Sequence, residues 1–129
     1  MKTSFRLMPT LLAQVVPLCV PLVLATHLAW AHAFLIRASP PVGSSVPTSP
    51  PQLTMRFTEG VEVLFCTVQL LGPTGAAISV PTPKLAPDDP TTMVIPLPKL
   101  GPGTYTVVWH ATSVDTHKTD GQFQFTVGS

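Results

Sequence analysis

Charge is scarce along this chain, with 7 Lys and Arg against 6 Asp and Glu in 129 residues. Nucleic-acid binding needs a basic stripe that displaces counterions from phosphates, and none occurs, so nucleic acid is excluded as a partner. Helix-length windows without a break are also scarce. The 16 prolines interrupt nearly all of them, because each removes a backbone donor and clashes with the preceding turn. Short strands joined by turns are what remains. Cysteine is limited to Cys19 and Cys66, so at most one disulfide could form. The length itself favours one domain with one core.

What is present begins with a distinct N-terminal segment. Lys2 and Arg6 precede the apolar run Leu11 to Leu24, and Ala29-Trp30-Ala31 places small residues where a signal peptidase reads them. The pattern reads as a secretory signal covering residues 1–31, cleaved after Ala31. Pro17 and Pro21 interrupt the apolar run, and about twenty residues are needed to cross a bilayer, so no stable membrane insertion is expected after cleavage. The domain proper is then 32–129, in the periplasm. It retains Arg37, Arg56, Lys84, Lys99 and Lys118 against Glu59, Glu62, Asp88, Asp89, Asp115 and Asp120. With Cys66 as its one cysteine, no internal disulfide can staple it.

Alternation marks the strands. Leu53, Met55 and Phe57 alternate with polar neighbours, as do Tyr105, Val107 and Trp109, and Phe123, Phe125 and Val127, which is the period-two pattern of half-buried strands. Phe34 to Ala38, Val61 to Leu71, Ala76 to Val80 and Thr91 to Ile95 complete a set of seven. In Val61 to Leu71 apolar residues fall on both faces, which leaves the core face open. Pro81 to Pro90, with four prolines and two aspartates, reads as a surface loop. Seven short strands without helical periodicity predict an all-β antiparallel Greek-key barrel or sandwich. Phe57, Phe65, Tyr105, Trp109, Phe123 and Phe125 are its expected aromatic core.

The chemistry concentrates in Ser113 to Gly121, between the last two strands. There Asp115 and His117 stand two residues apart, and in an extended segment such side chains share a face. Two donors need a partner. If the chain begins at His32, that residue offers an α-amine and Nδ1, which together close a six-membered chelate ring. Adding His117 and Asp115 gives three nitrogens and one oxygen, a set that suits Cu(II) in a tetragonal arrangement. His110 alternates away from Trp109 and reads as an exposed surface residue. Cys66, between apolar neighbours, reads as buried.

These residues resemble the CopC family of periplasmic copper-binding proteins. The resemblance spans the chain from His32 onward: Ser39-Pro40-Pro41-Val42-Gly43-Ser44, Phe57-Thr58-Glu59, Gly103-Thr104-Tyr105-Thr106-Val107-Val108-Trp109, Ser113-Val114-Asp115-Thr116-His117 and Gly121-Gln122-Phe123-Gln124-Phe125. It implies a seven-stranded Greek-key β-barrel that binds one Cu(II) through His32, Asp115 and His117, with Glu59 as an axial or outlying carboxylate. It also implies a role in copper homeostasis or resistance, and a CopD-like inner-membrane copper transport protein as partner. Some members carry a methionine-rich Cu(I) site. Here the corresponding segment, Leu70 to Ala76, contains no methionine, so no Cu(I) site is expected.

A carrier or buffer, not an enzyme, is therefore the expected function. Two alternatives use the same residues. Lytic polysaccharide monooxygenases also place copper on an N-terminal histidine, but Asp115 would fill the plane such enzymes leave open. A metal-free extracytoplasmic interaction module is the other, favoured if cleavage misses His32.

Overall fold

The computed structural model describes residues 33–128. The signal segment and His32 lie outside the described residues. Nine strands form two sheets. Strands β1 (Leu35–Ser39), β3 (Gln52–Phe57), β7 (Asp89–Pro96) and β6 (Lys84–Ala86) make the first sheet, in the order β1-β3-β7-β6. The second, in the order β2-β9-β8-β4-β5, comprises β2 (Ser45–Val46), β9 (Lys118–Val127), β8 (Gly103–Thr112), β4 (Thr67–Leu71) and β5 (Ala77–Ile78). The all-β sandwich is thus as expected. Two differences are the two-residue strands β2 and β5 and the parallel pairing of β2 with β9. Among the described residues no helix is long and apolar enough to cross a membrane.

The period-two residues face each other between the sheets. Leu53, Met55, Phe57, Met93 and Ile95 point inward from the first, and Leu70, Tyr105, Val107, Trp109, Ala111, Phe123, Phe125 and Val127 from the second, all nearly or fully buried. The Phe57 ring meets Trp109 edge-on at 5.3 Å, and Tyr105 stacks on Phe125 at 5.7 Å. Such pairs add to the area they bury because each ring's positive edge meets a negative face or offset neighbour. Gly121 lies directly over Trp109, where a Cβ would come within 2.7 Å of the indole. The glycine is required there by close approach.

The expected strand Val61 to Leu71 is interrupted. Val61 bridges Ser113, and Thr67 pairs with His110. Six residue steps on one side thus span three on the other, and the surplus cannot stay in an extended ladder. It is taken up as a 3₁₀ turn, Val63–Phe65, closed by Phe65 N–H to the Glu62 carbonyl at 2.9 Å and Cys66 N–H to the Val63 carbonyl at 3.1 Å. Phe65 therefore leaves the core and is 69% exposed, while Leu64 is 88% exposed. Cys66 turns inward. Its Sγ accepts the Thr112 N–H at 3.4 Å and lies 3.3 Å from the Glu62 carbonyl, and burial pushes its thiol pKa up.

The Pro81 to Pro90 segment also differs from expectation, because Lys84–Ala86 pairs with β7 as an edge strand. Prolines at edges and strand ends leave the ladder intact. Its turn delivers Asp89, whose Oδ1 accepts the Thr91 N–H at 2.9 Å and the Thr91 hydroxyl at 2.6 Å, while Oδ2 accepts the Thr92 hydroxyl at 2.6 Å. These bonds favour the charged form and, with Arg56 nearby, lower its pKa from 3.8 to about 2. A depressed folded pKa contributes stability above the unfolded value, lost as pH falls through the folded one. Between about pH 4 and pH 2, Asp89→Asn should therefore show a shallower loss of melting temperature than the parent; parallel curves would refute this.

Candidate metal centre

The β8 strand ends at Thr112 and β9 starts at Lys118, so the linking segment is only Ser113 to His117. Its ends are tied together. Ser113 N–H donates to the His117 carbonyl at 2.9 Å, and Thr116 N–H donates to the Ser113 carbonyl at 2.9 Å. Thr116 takes a left-handed φ of +73°, which costs a β-branched residue energy and holds only where surrounding bonds impose it. Val114 N–H donates to the Gly60 carbonyl at 3.0 Å and pins the turn to the neighbouring segment.

Asp115 and His117 do converge, with His117 Nδ1 3.1 Å from Asp115 Oδ2. The route is a turn through Thr116, not the extended backbone the i, i+2 spacing implies. Both side chains remain about half exposed, and an ion pair so open to water adds little to stability. Hydrogen bonds from Ser113 and His117 hold the Asp115 carboxyl below its ordinary pKa. It is therefore a carboxylate at neutral pH, ready to meet a cation.

Ser113 is the residue that sequence reasoning left without a role. It is fully buried, and its Oγ donates to Asp115 Oδ1 and lies 3.2 Å from the His117 carbonyl oxygen. A serine two residues before an aspartate is the signal that could have identified it, since such hydroxyls commonly bond within their own turn. Groups that orient a metal ligand typically matter 10- to 100-fold in affinity. Ser113→Ala should thus weaken any metal binding at this pair by about that factor, measured by competition with a chelator. An unchanged affinity would show that the turn alone orients Asp115.

Among the described residues no three His, Cys, Asp or Glu side chains gather as a metal site. His110 lies on the outer face of β8, exposed, with Nδ1 3.4 Å from the Thr67 hydroxyl. The start of the described chain is, however, firmly placed. Ala33 is fully buried, and its carbonyl accepts the Thr119 hydroxyl at 2.7 Å, two residues beyond His117. Phe34 exchanges bonds with Thr58, its N–H reaching the Thr58 hydroxyl at 3.0 Å and its carbonyl accepting the Thr58 N–H at 2.9 Å. His32, one peptide bond before Ala33, lies outside the described residues.

The fold and site together define a class of small all-β sandwich domains that set a carboxylate and an imidazole at one end, near the anchored first described residues. Residues 35–128 match the model of the CopC domain, and the chain belongs to the CopC family. It is 40% identical over 105 residues to protein YobA of Escherichia coli strain K12, covering 81% of this chain and 85% of that protein. It is 37% identical over 118 residues to copper resistance protein C of Escherichia coli, covering 81% of this chain and 94% of that one. The copper transport protein CutJ of Bacillus subtilis is 28% identical over 108 residues, which are 83% of this chain but 20% of CutJ. Among solved structures, CopC of Methylosinus trichosporium OB3b superposes with a TM-score of 0.71 at 33% identity, over 74% of this chain and 93% of that one.

Proposed function

We propose that the chain is a periplasmic copper carrier or buffer that binds one Cu(II) ion through the amine and imidazole of a mature N-terminal His32, the imidazole of His117 and the carboxylate of Asp115. The observation that carries this reading is the His117–Asp115 pair, 3.1 Å apart and half exposed, beside the buried and hydrogen-bonded Ala33. Two donors bound at about 2.0–2.1 Å are separated by about 2.9 Å across the edge of a square plane and about 3.3 Å across a tetrahedral edge. The pair therefore fits around one ion with little movement. A bidentate amine and imidazole would favour the tetragonal choice, which suits Cu(II).

Copper is cargo in this reading, not a catalytic cofactor, and the protein is not an enzyme. Met55 and Met93 are both fully buried, so their thioethers serve packing and not a soft Cu(I) site. Delivery to a CopD-like membrane transport protein is supported by the relationship to CutJ, in which the matching segment is one part of a larger copper transport protein. The test is titration of Cu(II) into the mature protein, followed by electron spin resonance. One equivalent with a tetragonal nitrogen and oxygen signature is expected, altered in both Asp115→Ala and His117→Ala. A spectrum that neither substitution changes would reject the assignment.

A further inference from the structure

Two arginines face each other on the outside of the first sheet. Arg37 of β1 and Arg56 of β3 are partners in the antiparallel ladder, and the next pair, Ala38 with Met55, is buried between the sheets, so both guanidinium groups belong to the outer, exposed face. Like charges set directly opposite each other destabilise a sheet. Neither is offset by an ion pair, since among the described residues no carboxylate oxygen lies within ion-pair distance of either. Asp89 is near enough to respond to Arg56, but its oxygens already accept bonds from Thr91 and Thr92.

The ladder extends this face across all four strands. In the next outward row Ser39 pairs with Thr54, Thr54 with Val94 and Val94 with Lys84, which brings a third cation onto the face from its far edge. Asp88 and Asp89 lie on the turn at one corner. The outer face of the second sheet differs. It pairs Thr104 with Thr126 and Thr106 with Gln124, and its Lys118 stands two residues from Asp120. At the free edge of β1, Ile36 and Val42, 58% and 60% exposed, line one surface hollow with Arg37.

Geometry and charge narrow what can cover the face. Lys84 and Arg37 are on strands three spacings apart, roughly 14–15 Å at about 4.7–4.9 Å each, so one small anion cannot bridge them. A surface bearing many phosphates can, and the planar guanidinium matches phosphate in a bidentate manner. Nucleic-acid complexes commonly make about six to ten phosphate contacts, more than this face has cations. A second copy meeting it face to face would set arginine against arginine. Cations beside exposed apolar side chains suit a layer whose phosphates lie above acyl chains, whereas a soluble polyanion offers charge alone.

We propose that the outer face of the first sheet, through Arg37, Arg56 and Lys84 with Ile36 and Val42 at its edge, seats the protein on an anionic phospholipid surface. The contact is peripheral, with headgroup phosphates meeting the guanidinium pair and no strand crossing the bilayer. It makes no use of Asp115, His117 or copper.

The test is cosedimentation of the mature protein with vesicles of phosphatidylglycerol mixed with phosphatidylcholine, and with phosphatidylcholine alone. Each is run with and without Cu(II), which separates the charge of a bound ion from that of the face. Binding is expected on the anionic vesicles only. A cation near such a surface contributes about fivefold in affinity, so Arg37→Gln/Arg56→Gln should lose at least about tenfold. Its melting temperature should equal or exceed the parent's, because a like-charge pair has gone. Arg37→Gln alone should lose about fivefold, and Lys99→Gln, which removes one charge from the loop after β7, should stay within about twofold. Ile36→Ser should also weaken binding, although no charge changes. Equal binding to neutral vesicles, equal losses in Arg37→Gln and Lys99→Gln, or no binding would overturn the proposal. So would equally tight binding to soluble poly-glutamate, which would assign the face to an acidic protein, or self-association that Arg37→Gln/Arg56→Gln abolishes.

Discussion

One extra residue ahead of His32 is expected to weaken Cu(II) binding by about 100-fold or more, a loss of roughly 3 kcal/mol or greater at 1.4 kcal/mol per decade. The extension turns the His32 α-amine into an amide, which is no donor while it keeps its proton, and so removes one ligand and the six-membered chelate ring it closes. Folding should be unchanged, because the anchoring bonds begin at Ala33 and Phe34. The pH profile separates this cause from others. Ligands must shed their protons to bind a metal, and the α-amine has an ordinary pKa of about 7.7–8.0. Affinity of the mature form should therefore fall as pH drops below about 8. Asp115, held below the usual carboxylate range, adds no slope there. The extended form should show a shallower profile. Chelator competition across pH 6 to 8 measures both, and equal affinities would remove the N-terminal chelate from the account.

Truncating Phe57 should have the largest effect on stability. Its side chain is 1% exposed, and its ring meets Trp109 edge-on. Phe57→Ala loses the transfer energy of the ring and leaves a cavity, typically about 3–5 kcal/mol together. For a domain near 100 residues that is a large share of the about 5–15 kcal/mol available. At about 4–8 °C per kcal/mol, the melting temperature should fall by roughly 12–40 °C. Phe65→Ala is the matching control, since its 69% exposed ring predicts a change within about 0.5 kcal/mol. Thermal unfolding by circular dichroism compares them, and similar losses would place Phe65 in the core after all.

That contrast shows how a pattern can be read correctly and still mislead. In β3, β8 and β9 strict alternation identified the buried side chains, because a half-buried strand leaves its period in the sequence. Val61 to Leu71 has apolar residues on both faces, so its period selects no side. What decided it was a mismatch with β8, three residue steps against six, and a register of that kind belongs to a pairing of two segments. The edge strand Lys84–Ala86 was hidden similarly, its prolines masking pairing with β7.

At the candidate site, the residue types and their closeness in sequence were enough to single out Asp115 and His117, because a carboxylate and an imidazole two positions apart offer metal donors on any local backbone. Their orientation was a matter for the tertiary structure. The left-handed Thr116, the Ser113 hydroxyl and the pinning of Val114 to Gly60 accompany the meeting of the two side chains; the first two are held by bonds within the turn, and the third by a contact between segments more than fifty residues apart.

The sequence by itself determined the all-β class, the core faces of the three clearest strands and the closeness of Asp115 and His117, since each follows from local periodicity or from short spacing along the chain. Only the tertiary structure decided that Leu64 and Phe65 stand outside the core, that Ser113 is fully buried, and that Ala33 is fastened to Thr119, two residues beyond His117. Those outcomes depend on how distant strands align and close, and no stretch of the chain carries that information alone.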